Sequence, residues 1–143
     1  DHAAHLLRLS PEDRRARFHA ALTDDAIRAY SDGVDWDHAL IFGAFVGGVL
    51  RGLGELIPWP ARDQGEASFS IEQPFQQIGL GKRLVLATVL AARRAGLGRI
   101  HMDFIGDNRA MRALARDVGA VSGRSDGIIH AIKDIPRRGL RAG

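Results

Sequence analysis

The spacing of apolar and polar residues predicts that the chain opens with mostly helical structure. Ser10, followed by a proline and two acids, is typical of a helix start, and the pattern predicts a helix to about Leu22. Thr23 and two aspartates predict a second helix that ends near Tyr30. Before them, the short apolar run 5–9 predicts an edge strand. The opening is therefore expected to combine one strand with two helices.

Three strands are predicted next, and the first two form a hairpin. The apolar runs 39–46 and 49–57 are separated only by Gly47-Gly48. A glycine pair suits a tight turn that needs positive φ. The segment 66–71 alternates in polarity and predicts a third strand of the same antiparallel run.

Helices and strands are predicted to alternate after Pro74. The elements are a long helix over 81–95, a strand over 99–104, a helix over 107–118 and a last strand over 127–132. This order predicts an α+β fold with a mixed, mostly antiparallel twisted sheet flanked by helices. Neither a repeat nor a linker divides the sequence, so we expect a single domain over residues 1–143.

Composition narrows the class of protein without indicating a function. The 143 residues suffice for a real core, and 45% apolar with 26% charged residues are ordinary values for a globular protein. Cysteine is absent, which excludes disulfides and thiolate zinc sites. Apolar runs stay below membrane-spanning length, and the opening residues show no secretory signal. We therefore expect a cytoplasmic protein without membrane association.

Charge and histidine spacing argue against a nucleic-acid partner and a metal site. The net charge is +3, and the closing arginines Arg137, Arg138 and Arg141 have no aromatic residues between them. A solvated basic tail is the simpler interpretation, and a tail that binds nucleic acid stays open as the weakest alternative. The six histidines include no pair at metal-ligand spacing, so no metal is expected.

The most informative segment joins the third strand to the long helix. It reads Gln76-Gln77-Ile78-Gly79-Leu80-Gly81-Lys82-Arg83. Free backbone N–H groups and the positive end of a helix dipole make such a turn a site for phosphate or pyrophosphate. Its spacing and the missing hydroxyl exclude a P-loop, and Leu84 in place of a third glycine excludes a dinucleotide-binding motif. A glycine helix start without a ligand stays open as the least favoured alternative.

Residues 76–81 match the pattern [Gln/Arg]-x-x-Gly-x-[Gly/Ala] and so resemble the pyrophosphate loop of the GNAT superfamily of N-acetyltransferases. Residues 108–120 resemble the late helix of that superfamily, with Asn108 at its start and Gly119 at its end. The order of loop, long helix, strand and Asn…Gly helix strengthens the likeness, which covers roughly residues 39–132. A looser resemblance near the start, in residues 17–18 and 34–40, is to GNAT domains that acetylate protein lysines.

The resemblance implies that the chain is an acyltransferase, with acetyl-CoA as cosubstrate and a primary amine as acceptor, on a small molecule or a protein lysine. It also implies a splayed strand pair that forms the CoA slot, with Pro74 helping to part 66–71 from 99–104. Asn108 would hydrogen-bond the pantetheine arm, cap its own helix, or do both. The expected cofactor-binding residues are Ser70, Ile71, Gln76, Gln77, Ile78, Gly79, Leu80, Gly81, Lys82, Arg83 and Asn108.

Attack on a thioester needs a neutral amine, so an ammonium acceptor must lose a proton, usually to a carboxylate. Strand alternation places Glu66 and Glu72 on one face. These two are the expected catalytic bases and are ranked almost equally, while Glu55 is the less favoured third candidate. A solvated surface carboxylate is the alternative for each. A backbone N–H near Ile71 would stabilise the oxyanion. Trp59 and Glu55 are the expected substrate-binding residues, and for Trp59 the alternative is a lid over the core edge.

One departure from the family pattern concerns the acid that protonates the leaving thiolate. In many members a tyrosine does this, but here the position is Ala115, and Tyr30 is expected to lie far away. Water or another group would supply the proton, unless the thiolate leaves without one. The gap leaves a non-catalytic acyl-CoA-binding regulatory module as the alternative function. A homodimer is a further expectation, because the superfamily often forms dimers.

Overall fold

A computed structural model describes residues 1–60 and 63–136 of the protein. The helices are α1 (His2–Leu7), α2 (Pro11–Phe18), α3 (Asp24–Asp32), α4 (Leu80–Arg94) and α5 (Arg109–Asp117). The strands are β1 (Leu40–Val46), β2 (Val49–Pro58), β3 (Gln64–Ile71), β4 (Arg99–Ile105), β5 (Val121–Ser125) and β6 (Ile128–Asp134). A short 3₁₀ turn, Gln73–Phe75, follows β3. The closing arginines Arg137, Arg138 and Arg141 lie outside the described residues.

The six strands form one sheet in the order β1-β2-β3-β4-β6-β5. β3 and β4 are parallel, and the other neighbours are antiparallel. Gly47 and Gly48 form the β1–β2 turn with φ of 60° and 80°, the left-handed conformation expected of a glycine pair. The prediction of a mixed, mostly antiparallel sheet flanked by helices is confirmed.

The β3–β4 ladder is short and then splits. Three residue pairs join the strands, and the last is Glu66 with His101. The expected splayed strand pair is therefore present, but its predicted cause is wrong. Pro74 lies in the 3₁₀ turn after β3 has ended, whereas the strands separate from Ala67 onward.

Helices cover both faces of the sheet. On β2, a Cβ added at Gly54 would meet Thr88 of α4, while the neighbouring Glu55 contacts His2 of α1. Because successive strand residues point to opposite faces, α4 and α1 lie on opposite sides. The larger core lies on the α4 side and includes Phe104. A smaller core, which includes Leu6, lies under the N-terminal helices.

Three sequence predictions of secondary structure were wrong. The helix expected to reach about Leu22 ends at Phe18, because His19 adopts a left-handed conformation with φ of 62°. Residues 5–9 were expected as a strand, but His2–Leu7 is a helix, because His2, His5, Leu6 and Leu9 are buried at helical spacing. Strand β5 was not predicted, since its small and polar residues are exposed throughout. The Asp126-Gly127 turn that joins β5 to β6 is a strong hairpin signal and was the clue to it.

In the described part of the chain, no helix has both the length and the apolar character needed to cross a membrane.

Candidate active site

A cavity of about 360 Å³ opens where β3 and β4 separate. The two strands, α2, α5 and the loop that precedes α4 all contribute to its lining. Its apolar lining includes Ala67 and Phe69 of β3 and Met102 and Phe104 of β4. The split in the sheet is therefore a slot that leads inward from the glycine loop.

The glycine loop presents backbone donors to this cavity. Gly79 is the N-cap of α4 with φ of 88°, and no atom lies within 4 Å of the Cβ that a side chain would add there. The N–H groups of the first helical turn have no acceptor within the helix. Lys82 adds a positive charge to the cavity lining. The open space, the free donors and the helix dipole fit a pyrophosphate.

Gly81 has a different role from Gly79. A Cβ there would lie 3.3 Å from Leu114 and 3.4 Å from Ile71, both as side-chain atoms. The missing side chain therefore lets α4 pack closely on α5 and β3 at the inner end of the loop.

Most of the expected cofactor-binding residues line the cavity. They are Ser70, Ile71, Gln76, Gln77, Gly79, Gly81, Lys82 and Asn108. Ile78, Leu80 and Arg83 do not line it. Ile78 is exposed, while Leu80 and Arg83 lie beside β1 in a separate depression.

Two side chains fix the geometry of the slot. Gln76 Nε2 donates to the carbonyl oxygen of Ile71 and to Oδ2 of Asp13, both at 2.9 Å, which ties the loop to β3 and α2. Asn108 Oδ1 accepts from the Met111 N–H at 3.2 Å, so its predicted capping of α5 is confirmed. Its proposed contact to a pantetheine arm stays a prediction.

Glu72 is 4% exposed, does not line the cavity and is surrounded by donors. It lies 3.0 Å from His5 Nδ1 and from Arg8 Nε, and 2.8 Å from an Arg51 nitrogen. Burial acts to raise the pKa of Glu72, but hydrogen bonds from His5, Arg51 and Arg8 outweigh it and lower that pKa. Glu72 thereby fastens α1 to the sheet.

His5 is fully buried beside Glu72. Burial lowers the pKa of His5, although Glu72 acts in the opposite direction. Its Nε2 lies 2.9 Å from the Ser70 hydroxyl. A neutral imidazole that donates from Nδ1 to Glu72 and accepts at Nε2 satisfies both contacts.

Glu55 is 1% exposed and lies at the centre of a second polar cluster, outside the cavity lining. His2 Nε2 and the Tyr30 hydroxyl lie 3.0 Å from its Oε1, and an Arg17 nitrogen donates to Oε2 at 2.8 Å. Burial acts to raise the pKa of Glu55, but the His2 hydrogen bond and the Arg17 charge lower it to about 2. Arg17 itself lines the cavity.

Glu66 and Trp59 lie at the closed end of the split, outside the cavity lining. Glu66 is exposed and belongs to the last β3–β4 residue pair. The Trp59 ring stacks on His101, with centroids 4.3 Å apart and planes at 21°. The structure therefore does not bring the expected bases and substrate-binding residues together with the loop.

Residues 5–120 match the model of the acetyltransferase (GNAT) family. The chain belongs to this family. As a GNAT family member it is an acyltransferase. A search of the curated proteins found no match.

Several solved GNAT structures have a similar fold. The GNAT domain of S. lividans PAT has a TM-score of 0.77 at 20% identity, over 92% of this chain and 82% of that one. The putative acetyltransferase yncA from Salmonella typhimurium, with its cofactor acetyl-CoA, has a TM-score of 0.72 at 17% identity, over 96% and 91%. Ribosomal-protein-alanine N-acetyltransferase from Brucella melitensis has a TM-score of 0.70 at 17% identity, over 92% and 95%.

The position of the usual GNAT tyrosine is part of the core in this chain. Ala115 is buried in the core cluster and is absent from the cavity lining, where α5 contributes Ala110 and Ala113. Tyr30 is nearer than expected, because its hydroxyl accepts a hydrogen bond at 2.8 Å from Arg17, a cavity residue. The expectation that Tyr30 lies far from the site was wrong, although Tyr30 itself does not line the cavity.

Sequence reasoning missed three ionisable residues that line the cavity of this GNAT protein. They are Asp13 and Arg17 on α2 and Asp103 on β4. The alternation of β4 was the available signal, because it puts Asp103 on the polar face of a strand beside β3. Within residues 1–60 and 63–136, no group of three His, Asp or Glu side chains is arranged to hold a metal ion.

Proposed function

We propose that this GNAT protein transfers the acetyl group of acetyl-CoA to a primary amine. The cavity between β3 and β4 carries the proposal, because one end of it is the N-terminus of α4 with Gly79 and Lys82. Beyond Glu66, β3 forms no described pairs with β4, which leaves an edge that a peptide-like pantetheine arm can pair with. The acetyl-CoA held by the Salmonella typhimurium neighbour supports the choice of donor.

In the proposed reaction the neutral amine attacks the thioester carbon. The C–N bond forms, the C–S bond breaks, and CoA leaves as a thiolate that water can protonate. Backbone N–H groups of β3 near Ile71 are the proposed donors to the oxyanion. The acceptor amine is on a small molecule or a protein lysine, and α2, which lines the cavity through Ala16 and Arg17, forms one wall of its path.

The amine must lose a proton, and Glu66 and Glu72 are the bases proposed from the sequence. The oxygens of Glu72 already accept hydrogen bonds from Arg8 and Arg51, which disfavours proton uptake. Glu66 is exposed and on the same face as Ser68, so it is the better of the two.

Substitution of Gly79 tests donor binding, because asparagine and aspartate have similar shapes and both tolerate positive φ. CoA at a hundredfold excess over its Kd should stabilise the unmodified protein by about 2.7 kcal/mol, seen as a raised Tm. Gly79→Asn should keep most of that shift, whereas Gly79→Asp should lose it through repulsion of the pyrophosphate. An unmodified protein whose Tm does not respond to CoA would contradict the proposal.

A non-catalytic acyl-CoA-binding module is the second candidate, because no tyrosine lines the described cavity. Mass spectrometry of acetyl-CoA incubations with lysine peptides and polyamines separates the two. Acetylated product at a rate above the uncatalysed reaction excludes a binding-only module.

The predicted homodimer is a separate question. Light scattering after size exclusion measures the mass of the protein in solution and so tests it.

A further inference from the structure

We infer that Asp103, held in place by His130, is the group that takes the proton from the acceptor amine. The inference rests on the proposed acetyl transfer and assigns a catalytic residue to it. Asp103 lines the cavity, whereas Glu55, Glu66 and Glu72 do not. Among the described carboxylates, only Asp13 shares that property.

The sheet register places Asp103 next to the closed end of the split. Glu66 and His101 form the last β3–β4 pair, so Ser68 and Asp103 each lie two positions beyond it. Both residues line the cavity, and both are on the sheet face that α2 covers. An amine that enters along α2 toward the fork of the strands therefore meets Asp103.

Asp13 lies at the other end of the slot. Its Oδ2 accepts a hydrogen bond from Gln76 at the start of the glycine loop. One Asp13 oxygen is therefore already engaged by the loop that is the proposed pyrophosphate site. We favour Asp103, at the fork of the strands, over Asp13 as the proton acceptor.

One contact orients the Asp103 carboxylate and leaves its second oxygen available, and another contact is made to the Asp103 backbone. His130, its register partner on β6, lies with Nδ1 2.9 Å from Asp103 Oδ1. His19 Nε2, just after α2, lies 3.2 Å from the Asp103 carbonyl oxygen. Within the described residues, Oδ2 has no hydrogen-bond partner.

The charged surroundings of Asp103 come from several elements. They are His130 on β6, His19 and Arg17 from the α2 side, His101 on its own strand and Glu66 on β3. The Asp103 side chain is 39% exposed and that of His130 is 47% exposed. A proton taken up by Asp103 therefore has a short path to solvent.

The proposed step is balanced by these groups. The ammonium nitrogen gives one proton to Asp103 Oδ2, and the freed lone pair attacks the thioester carbon. After the C–S bond breaks, the nitrogen loses its second proton to solvent and the CoA thiolate takes one up. His130 donates from Nδ1 to Oδ1 throughout, and is a positioning residue.

Steady-state kinetics of three variants test the assignment. Asp103→Asn should lower kcat by about 10²–10⁴-fold and abolish the fall in rate at low pH, since it removes the base. KM for acetyl-CoA and the CoA-induced Tm shift should stay unchanged. His130→Ala should lower kcat less, and His130→Asn, whose amide can replace Nδ1, should recover most of the loss. Asp117→Asn, an exposed aspartate outside the cavity, is the charge-matched control.

Each outcome bears on the assignment. Full activity of Asp103→Asn with any amine that the unmodified protein acetylates would overturn the role of Asp103 and leave the proposed function standing. If Glu66→Gln abolished the fall in rate at low pH and Asp103→Asn did not, the role of the base would pass from Asp103 to Glu66. An unmodified protein that binds CoA but acetylates no lysine peptide or polyamine would overturn the transfer reaction and the role of Asp103 together.

Discussion

Glu55 shows how residues far apart in sequence determine the state of one side chain. Its partners His2, Arg17 and Tyr30 come from three helices, and alternation along β2 gave no sign of them. Sequence reasoning recognised Glu55 as chemically important and expected it to bind substrate. It could not foresee that the carboxylate is enclosed, because enclosure depends on how helices pack rather than on local pattern.

Glu55→Gln should destabilise the protein by about 3 kcal/mol at neutral pH, because it leaves Arg17 and His2 around a neutral side chain. With its pKa lowered from 4.5 to about 2, Glu55 stabilises the fold fully above pH 4.5 and loses that effect as pH falls toward 2. Urea midpoints across this range should therefore fall more steeply for the unmodified protein than for Glu55→Gln. The control variant Asp25→Asn removes an exposed ion pair, and its free energy of unfolding should stay within about 0.5 kcal/mol of that of the unmodified protein.

At the scale of elements, prediction succeeded where local turn and cap signals were strong. It failed where burial depends on contacts with residues that are distant in sequence. The hairpin at Gly47-Gly48, the capped helix at Ser10 and the loop before α4 were all predictable from turn and cap chemistry. Helix α1 was not, because its histidines count as polar in a pattern although they are buried against Glu55 and Glu72. Strand β5 was missed because an exposed edge needs no apolar alternation.

The docking of helix α1 on the sheet should weaken on mild acidification. The pKa of His5 is lowered by burial from its ordinary 6.5, so a detached α1 binds a proton that the docked helix resists. Docking should thus weaken as pH falls through 6.5, with Glu72, Arg8 and His2 as the other charged groups nearby. The fluorescence of Trp36 should follow the docking of α1, because its ring centroid is 5.1 Å from that of His2. A Trp59→Phe background leaves Trp36 as the tryptophan that is observed.

The fluorescence change from about pH 7.5 to about pH 5.5 should be smaller in His5→Asn, which keeps a donor to Glu72 but does not titrate in this range. His38, close to Trp36 in sequence, titrates as well, so the difference between the two proteins is the informative quantity. Superimposable titrations would show that His5 does not control the docking of α1.

At the scale of the whole molecule, the candidate site is shared between two parts of the sheet. Among the described residues, three pairs of the β3–β4 ladder join these parts. The glycine loop and β3 come from one part, and Asp103, Asn108 and α5 from the other. The resemblance to the GNAT superfamily was enough to predict a split between two neighbouring strands, and the CoA slot that it implies stays a prediction. The side chains that line the slot from α2 were not predictable, because they depend on where that helix crosses the sheet.

Binding of CoA should therefore slow amide hydrogen exchange on both sides of the split. Peptides that cover 64–71 and those that cover 102–118 should both gain protection, because the proposed ligand contacts each of them. Peptides around the 46–49 turn serve as the internal control and should not change. Protection confined to the glycine loop would indicate that CoA does not enter the slot.

The short ladder between β3 and β4 has a consequence for how the chain matures. Neither part of the sheet holds all of the proposed CoA-binding residues, since Gly79 and Lys82 precede β4 whereas Asn108 follows it. A chain in which β4 and α5 have not yet folded against the rest therefore lacks part of the proposed CoA site. If the proposed site is correct, binding of CoA reports that the two parts of the sheet have joined.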